Sequence, residues 1–191
     1  TVKREITEAF GLPDGKIAWA GSEYVQSESK WASLLGKLTA GGAVDQTFGN
    51  STGNVSRNHF GAGDSFGIAL AAQPDGKLIV SGRLPGTPGQ HGPGLLARFS
   101  AGGELDTSTF AAPDGWMQPT TSVSGAVGIQ PSGKILAADG GNNFSACRVT
   151  TTGANDPTMQ GGVSCVEPSF DGDADTGTGM VVLPDGGFVL V

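Results

Sequence analysis

Three acids in this chain each follow a cation at a fixed interval. Asp45 stands eight residues after Lys37, Asp106 eight after Arg98 and Asp156 eight after Arg148. In each case an apolar stretch leads into a short turn, so the acid can fold back toward the cation. On a functional reading these pairs are ligand contacts along one rim. On a structural reading they are ion pairs that clamp a turn, repeated because every copy of a unit needs the clamp. Recurrence favours the clamp. Arginine suits it better than lysine, because its planar fork can hold a partly buried partner at two points.

Other residues suggest chemistry of different kinds. "GDSFG", residues 63–67, matches the Gly-x-Ser-x-Gly turn that presents a nucleophilic serine. That turn needs a helix after it, and "GIALAAQ" follows, which reads as a strand. Counting nine residues back from Pro74, Pro131 and Pro184 gives Ser65, Ser122 and Asp175, so a polar turn residue is what the position requires. The two histidines, His59 and His91, sit in glycine-rich surroundings. No catalytic or cofactor-binding residue set is expected, and the chain reads as leaning away from an enzyme. "DGDADTG" places Asp171, Asp173 and Asp175 at alternate positions, the way a calcium loop opens. Its sixth position is Thr176 rather than Gly and its twelfth is Val182 rather than Glu, so a solvated acidic turn is the alternative. Calcium is the one cofactor worth naming, since zinc would need grouped Cys and His.

The cysteines, Cys147 and Cys165, lie symmetrically about Asp156. If the strands on either side of that turn pair antiparallel, the two cysteines face each other and can form a cross-strand disulfide. Cys147 aligns with Gly36 and Ala97, both small, so a buried free thiol is the other reading. The tryptophans Trp19, Trp31 and Trp116 occupy different repeat positions, which suits gap filling between sheets better than a sugar-stacking ring.

These residues need elements to hold them, and the elements repeat. "LPDGKIAWAGS", "QPDGKLIVSGR", "QPSGKILAADG" and "LPDGGFVLV" share one turn, at Pro13, Pro74, Pro131 and Pro184. Proline presets the turn's second position, and the glycine supplies a positive φ. Apolar residues on both sides make each copy a β-hairpin signal. A second landmark recurs out of phase: "LLGKLTAGGAVDQTF", "LLARFSAGGELDTSTF" and "SACRVTTTGANDPTM". A further extended stretch follows each second landmark, so each unit reads as four strands, and no window has helical periodicity. Four antiparallel strands in a unit of roughly 40 to 60 residues are the pattern of a β-propeller blade. The expected architecture is all-β, with approximate blades at 4–60, 65–121 and 123–169 and a partial fourth at 178–191. Three blades and a fraction are too few to close a ring, so an open arc with exposed end faces is expected. A β-solenoid or open sandwich array is the alternative.

The stretch "AAQPDGKLIVSGR…LLARFSAGGELDTSTF" resembles the delta-60 repeat, a unit found in tandem in bacterial surface and secreted proteins. The resemblance covers three units and a fragment. It is best in the second unit and weakest in the third, where Ser132 stands in the place of Asp and "TTTGAND" replaces the consensus turn; the first unit carries Lys37 where the pattern has Arg. It implies a propeller-like fold and an extracellular or cell-surface setting, and it implies no chemistry.

Composition sets the outer bounds. The chain has 191 residues, 33 of them glycine, with only 15% charged and 37% hydrophobic, which suits short strands joined by turns. A net charge of −7 with scattered basic residues argues against a nucleic-acid partner. No apolar run approaches a membrane span. The chain begins without Met and stops inside "GFVLV", so a fragment with further blades beyond it is expected. The function read from all this is a non-enzymatic secreted or surface repeat module, a scaffold or a surface that binds protein or glycan. One alternative is part of a propeller hydrolase or lyase whose site lies partly outside the chain. The other is the structural stalk of a large adhesin.

Overall fold

The structure, a computed structural model, describes residues 3–49, 54–86, 92–121, 125–140, 144–168 and 179–191. Within them the fold is all-β. The first sheet contains β1 (Lys3–Gly11), β2 (Ile17–Val25), β3 (Lys30–Leu38) and β4 (Val55–Asn58). The second contains β5 (Phe66–Ala72), β6 (Leu78–Arg83), β7 (Gly94–Phe99) and β8 (Trp116–Met117). The third contains β9 (Ala126–Ile129), β10 (Ile135–Gly140), β11 (Phe144–Val149) and β12 (Cys165–Val166). A two-stranded sheet of β13 (Met180–Val182) and β14 (Phe188–Leu190) follows. Every pairing joins strands adjacent in the chain and is antiparallel.

The sheets stack in chain order. Strand β5 packs on β1, β2 and β3; β9 packs on β5 and β6; β13 packs on β9. This explains why the middle strands read as unbroken apolar runs rather than as alternating ones. Along β6 and β7, Leu78, Val80, Leu95, Ala97 and Phe99 face one core, shared with Ala18, Ala20, Leu35 and Phe48 of the first unit. Ile79 and Leu96 point the other way, into a second core with Ile135, Ala137, Cys147 and Val149. A sheet covered on both faces requires apolar residues at successive positions. Among the described residues, Ile6 of β1 at one end of the stack and Val181, Val189 and Val191 at the other are exposed.

Two local devices recur. Strand β1 carries a bulge at Thr7 and β5 an equivalent one at Ile68. Opposite each stands a glycine, Gly21 or Gly82, where a Cβ would collide with the carbonyl of Glu5 or Phe66. The second device joins neighbouring units. Gly103, at φ +92°, lies against the Phe48 ring and the Gly49 amide, and Gly153, at φ +83°, lies against Phe110 and the Ala111 amide. Here Gly49 donates to the carbonyl of Gly102 at 2.8 Å and Ala111 to that of Thr152 at 2.8 Å. Each glycine turn is therefore seated on the Phe-containing loop of the unit before it.

Cys147 and Cys165 are paired in register across β11 and β12 and form a disulfide. The corresponding cross-strand pairs elsewhere are Gly36 with Val55 and Ala97 with Trp116, so the bond takes the place of a small–large packing pair. It closes a loop with a sequence separation of 18, which corresponds to about 3 kcal/mol by chain-entropy scaling. Replacing both cysteines by alanine is expected to lower unfolding stability by that amount in urea titrations. Thiol titration of denatured, unreduced protein should detect no free thiol; two free thiols would contradict the pairing.

Candidate functional site

The four repeated turns take one conformation. Gly15, Gly76, Gly133 and Gly186 have φ of +80°, +84°, +81° and +89°. Each donates its amide to the carbonyl at the turn's start: Gly15 to Leu12, Gly76 to Gln73, Gly133 to Gln130 and Gly186 to Leu183, at 2.8–2.9 Å. The acid inside the turn caps a later amide. Asp14 accepts from Lys16 at 3.1 Å, Asp75 from Lys77 at 3.1 Å and Asp185 from Gly187 at 2.8 Å. Ser132 accepts from Lys134 at 3.5 Å in the third unit, so a hydroxyl replaces the carboxylate without changing the turn.

Stacking brings these four turns together at one end of the molecule, around an open cavity of about 770 Å³. Pro13, Pro74, Pro131 and Pro184 stand around it, one from each sheet. Leu12, Ala72, Ile129, Val182 and Leu183 make it apolar, Gln73 and Gln130 add amides, and Lys37, Asp14 and Asp75 are its charged lining residues. Among the described residues no aromatic side chain lines it. The size suits a small ligand or a short peptide segment.

The same turns feed the recurring ion pairs. Backbone bonds fold each acid back onto its cation's strand: Asp45, Asp106 and Asp156 donate their amides to the carbonyls of Lys37, Arg98 and Arg148. In the second unit Arg98 Nε reaches Asp106 at 3.0 Å, while one of its terminal nitrogens crosses to the Thr151 carbonyl of the next unit at 2.6 Å. In the third, Arg148 Nε reaches Asp156 at 2.8 Å. The first unit differs. Lys37 forms no ion pair with Asp45; its Nζ donates at 2.8 Å to the Ala101 carbonyl of the next unit and lies 5.1 Å from the centre of the Phe48 ring. The guanidinium's fork spreads its donors over its own acid and the neighbouring turn together, whereas the compact ammonium of Lys37 lies at the neighbour.

The second cation on each acid comes from the turn itself. Lys16 bonds Asp45 at 2.8 Å, Lys77 lies 3.2 Å from Asp106 and Lys134 lies 2.8 Å from Asp156. The sequence reading paired each acid with the nearer cation and passed over these lysines. A signal existed: Lys16 and Asp45 are 29 residues apart, and Lys77 and Asp106 have the same separation. A threonine completes each cluster, with Thr47, Thr109 and Thr158 donating both amide and hydroxyl to the carboxylate.

The electrostatics follow from these contacts. The Lys16 hydrogen bond, helped by Thr47, holds Asp45 well below the usual carboxylate range. Burial alone would raise Asp106, but bonds from Thr109 and Lys77 and the charge of Arg98 outweigh it and lower it strongly. Lys134 is the main cause for Asp156, against burial, with Thr158 and Arg148 adding to it. Lys37 moves the opposite way: burial lowers its pKa, and Asp14 and Asp45 offset this only in part.

The remaining candidates separate. Ser65 is fully buried and its hydroxyl accepts from the Phe60 amide at 2.8 Å, so it braces a turn and presents no nucleophile. His59 faces Glu28 at 3.0 Å. Asp171, Asp173, Asp175, Ser122 and His91 lie outside the described residues. Trp19 covers Gly36, Trp116 packs on Phe60, and Trp31 joins Tyr24 and Phe66 with ring centres 5.7 and 5.8 Å away, so the tryptophans share no ring. Among the described residues no helix is long and apolar enough to cross a membrane. No protein-family model matches the chain, and comparison with curated proteins gives no match.

Replacing Asp106 by Asn leaves Arg98, only 4% exposed, without its counter-charge. The expected cost is about 3 kcal/mol, the scale for breaking a buried ion pair. The acids also set a pH dependence. Their folded pKa values lie below the ordinary 3.8, so the stability they contribute is present above about pH 4 and is lost as pH falls below it. Urea midpoints at about pH 6 and about pH 3 should show the loss. Asp106→Asn should make the difference smaller, and an equal loss in variant and parent would contradict the assignment.

Proposed function

We propose that this chain is a non-enzymatic binding and scaffolding module of β-propeller type, built from delta-60-like repeats and exposed outside a bacterial cell. The observation that carries the reading is the gathering of all four repeated turns around one cavity. Stacked four-stranded meanders, with the first strand of each packed on its neighbours, support an open propeller-like arc that further blades would extend. The Cys147–Cys165 bond suits an oxidising compartment. The repeated charged residues are engaged in holding turns and neighbouring units, which favours scaffolding over catalysis. The net charge of −7 disfavours nucleic acid. The aliphatic and proline lining favours a protein segment over a glycan, because sugar faces are usually gripped by aromatic rings.

The test is a binding screen against peptide and glycan arrays with the disulfide-bonded chain. Peptide hits are expected, and Ala72→Trp, which places a bulky ring in the cavity, should abolish them while the melting temperature stays within a few degrees. Glycan hits insensitive to Ala72→Trp would overturn the choice of cavity and partner. Turnover of a glycoside or ester substrate would overturn the non-enzymatic reading.

A further inference from the structure

Lys37 is 7% exposed and lines the cavity. Its ammonium has one backbone acceptor, the Ala101 carbonyl at 2.8 Å, and the face of Phe48. Among the described residues no carboxylate lies within ion-pair distance of it. The equivalent cations of the other units, Arg98 and Arg148, are each neutralised by an aspartate. A buried cation without a counter-charge is costly, and the cost falls when an anion arrives from outside. Lys37 is thus the one member of the recurring set whose charge is left over, and it stands where the molecule has room.

We propose that the cavity binds an apolar molecule through a single carboxylate, with Lys37 as its counter-ion and the side chains of Leu12, Ala72, Ile129 and Val182 against its aliphatic body. Two features narrow the anion. Asp14 and Asp75 at the rim, together with the net charge of −7, repel a multiply charged group such as phosphate. The lining is mostly aliphatic, so it rewards hydrocarbon rather than polar bulk. The carboxylate can belong to the C-terminus of a protein segment or to a free aliphatic acid. This inference rests on the cavity being the binding site proposed above and adds the chemistry of what enters it.

Calorimetric titration with octanoate and octanol at neutral pH tests it on the unaltered chain. Octanoate is expected to bind at least about tenfold more tightly, which is about 1.4 kcal/mol. Lys37→Met should remove that preference, read as the ratio of the octanoate and octanol affinities in the same variant. Lys37→Arg is expected to fold, because it recreates the arrangement around Arg98. It should also weaken octanoate, since its fork can take Asp45 as a partner. A hexapeptide ending in aliphatic residues, with its C-terminus free or amidated, separates the two sources: discrimination between the forms points to a protein C-terminus, and octanoate binding without peptide binding points to a free acid. Equal affinity for octanoate and octanol in the parent chain would overturn the proposal, as would an undiminished preference in either variant. Octanol binding without octanoate preference would leave the cavity a binding site and refute only the role of Lys37.

Discussion

A four-stranded sheet with two apolar faces cannot stand alone in water, and that constraint organises this molecule. Strands β6 and β7 bury Val80 and Leu95 toward one neighbour and Ile79 and Leu96 toward the other, so the second sheet exists only as the middle of a stack. The glycines of the second landmark make the stack close-fitting. A side chain at Gly103 or Gly153 would strike the aromatic ring beneath it, and the neighbouring units would have to separate.

Polar groups make this stacking directional. Two of the three basic residues of the second landmark reach across to the next unit's turn, Lys37 to Ala101 and Arg98 to Thr151. Each acid collects a lysine from the hairpin turn and a threonine from its own loop, which ties the two landmarks of a unit together. The hairpin turns are thereby held at the same height in successive sheets, and their convergence on one cavity follows from that alignment. The cavity is a product of the repeat, whereas the cation in its lining, Lys37, stands where the first unit departs from the arginine of the other two.

That departure illustrates where reading the sequence falls short. The substitution of lysine for arginine at position 37 is plain in the sequence. Its consequence is geometric: the three donors of an ammonium sit at one point, and only the packed units show that this point lies at the neighbouring carbonyl rather than at its own aspartate. The lysines of the hairpin turns were missed for a similar reason, since Lys16 and Asp45 meet only after β2 and β3 have folded against each other. Ser65 shows the reverse case: its motif suggests a nucleophile, and a strand after it, legible from the repeat, was already enough to argue against one.

Local chemistry alone therefore determines much of this protein. Proline and glycine at fixed intervals dictate the hairpins, the run of four extended stretches per unit dictates the meanders, and the symmetry of Cys147 and Cys165 about Asp156 foreshadows their bond. Each of these depends on residues close in the chain or paired by a simple antiparallel fold. Tertiary structure decided the rest: which turn each cation reaches, that four distant turns share one cavity, and that Lys37 lines it with no carboxylate of the described residues within ion-pair distance. Those outcomes depend on how sheets pack across unit boundaries, where shape and distance rather than residue type choose the partner.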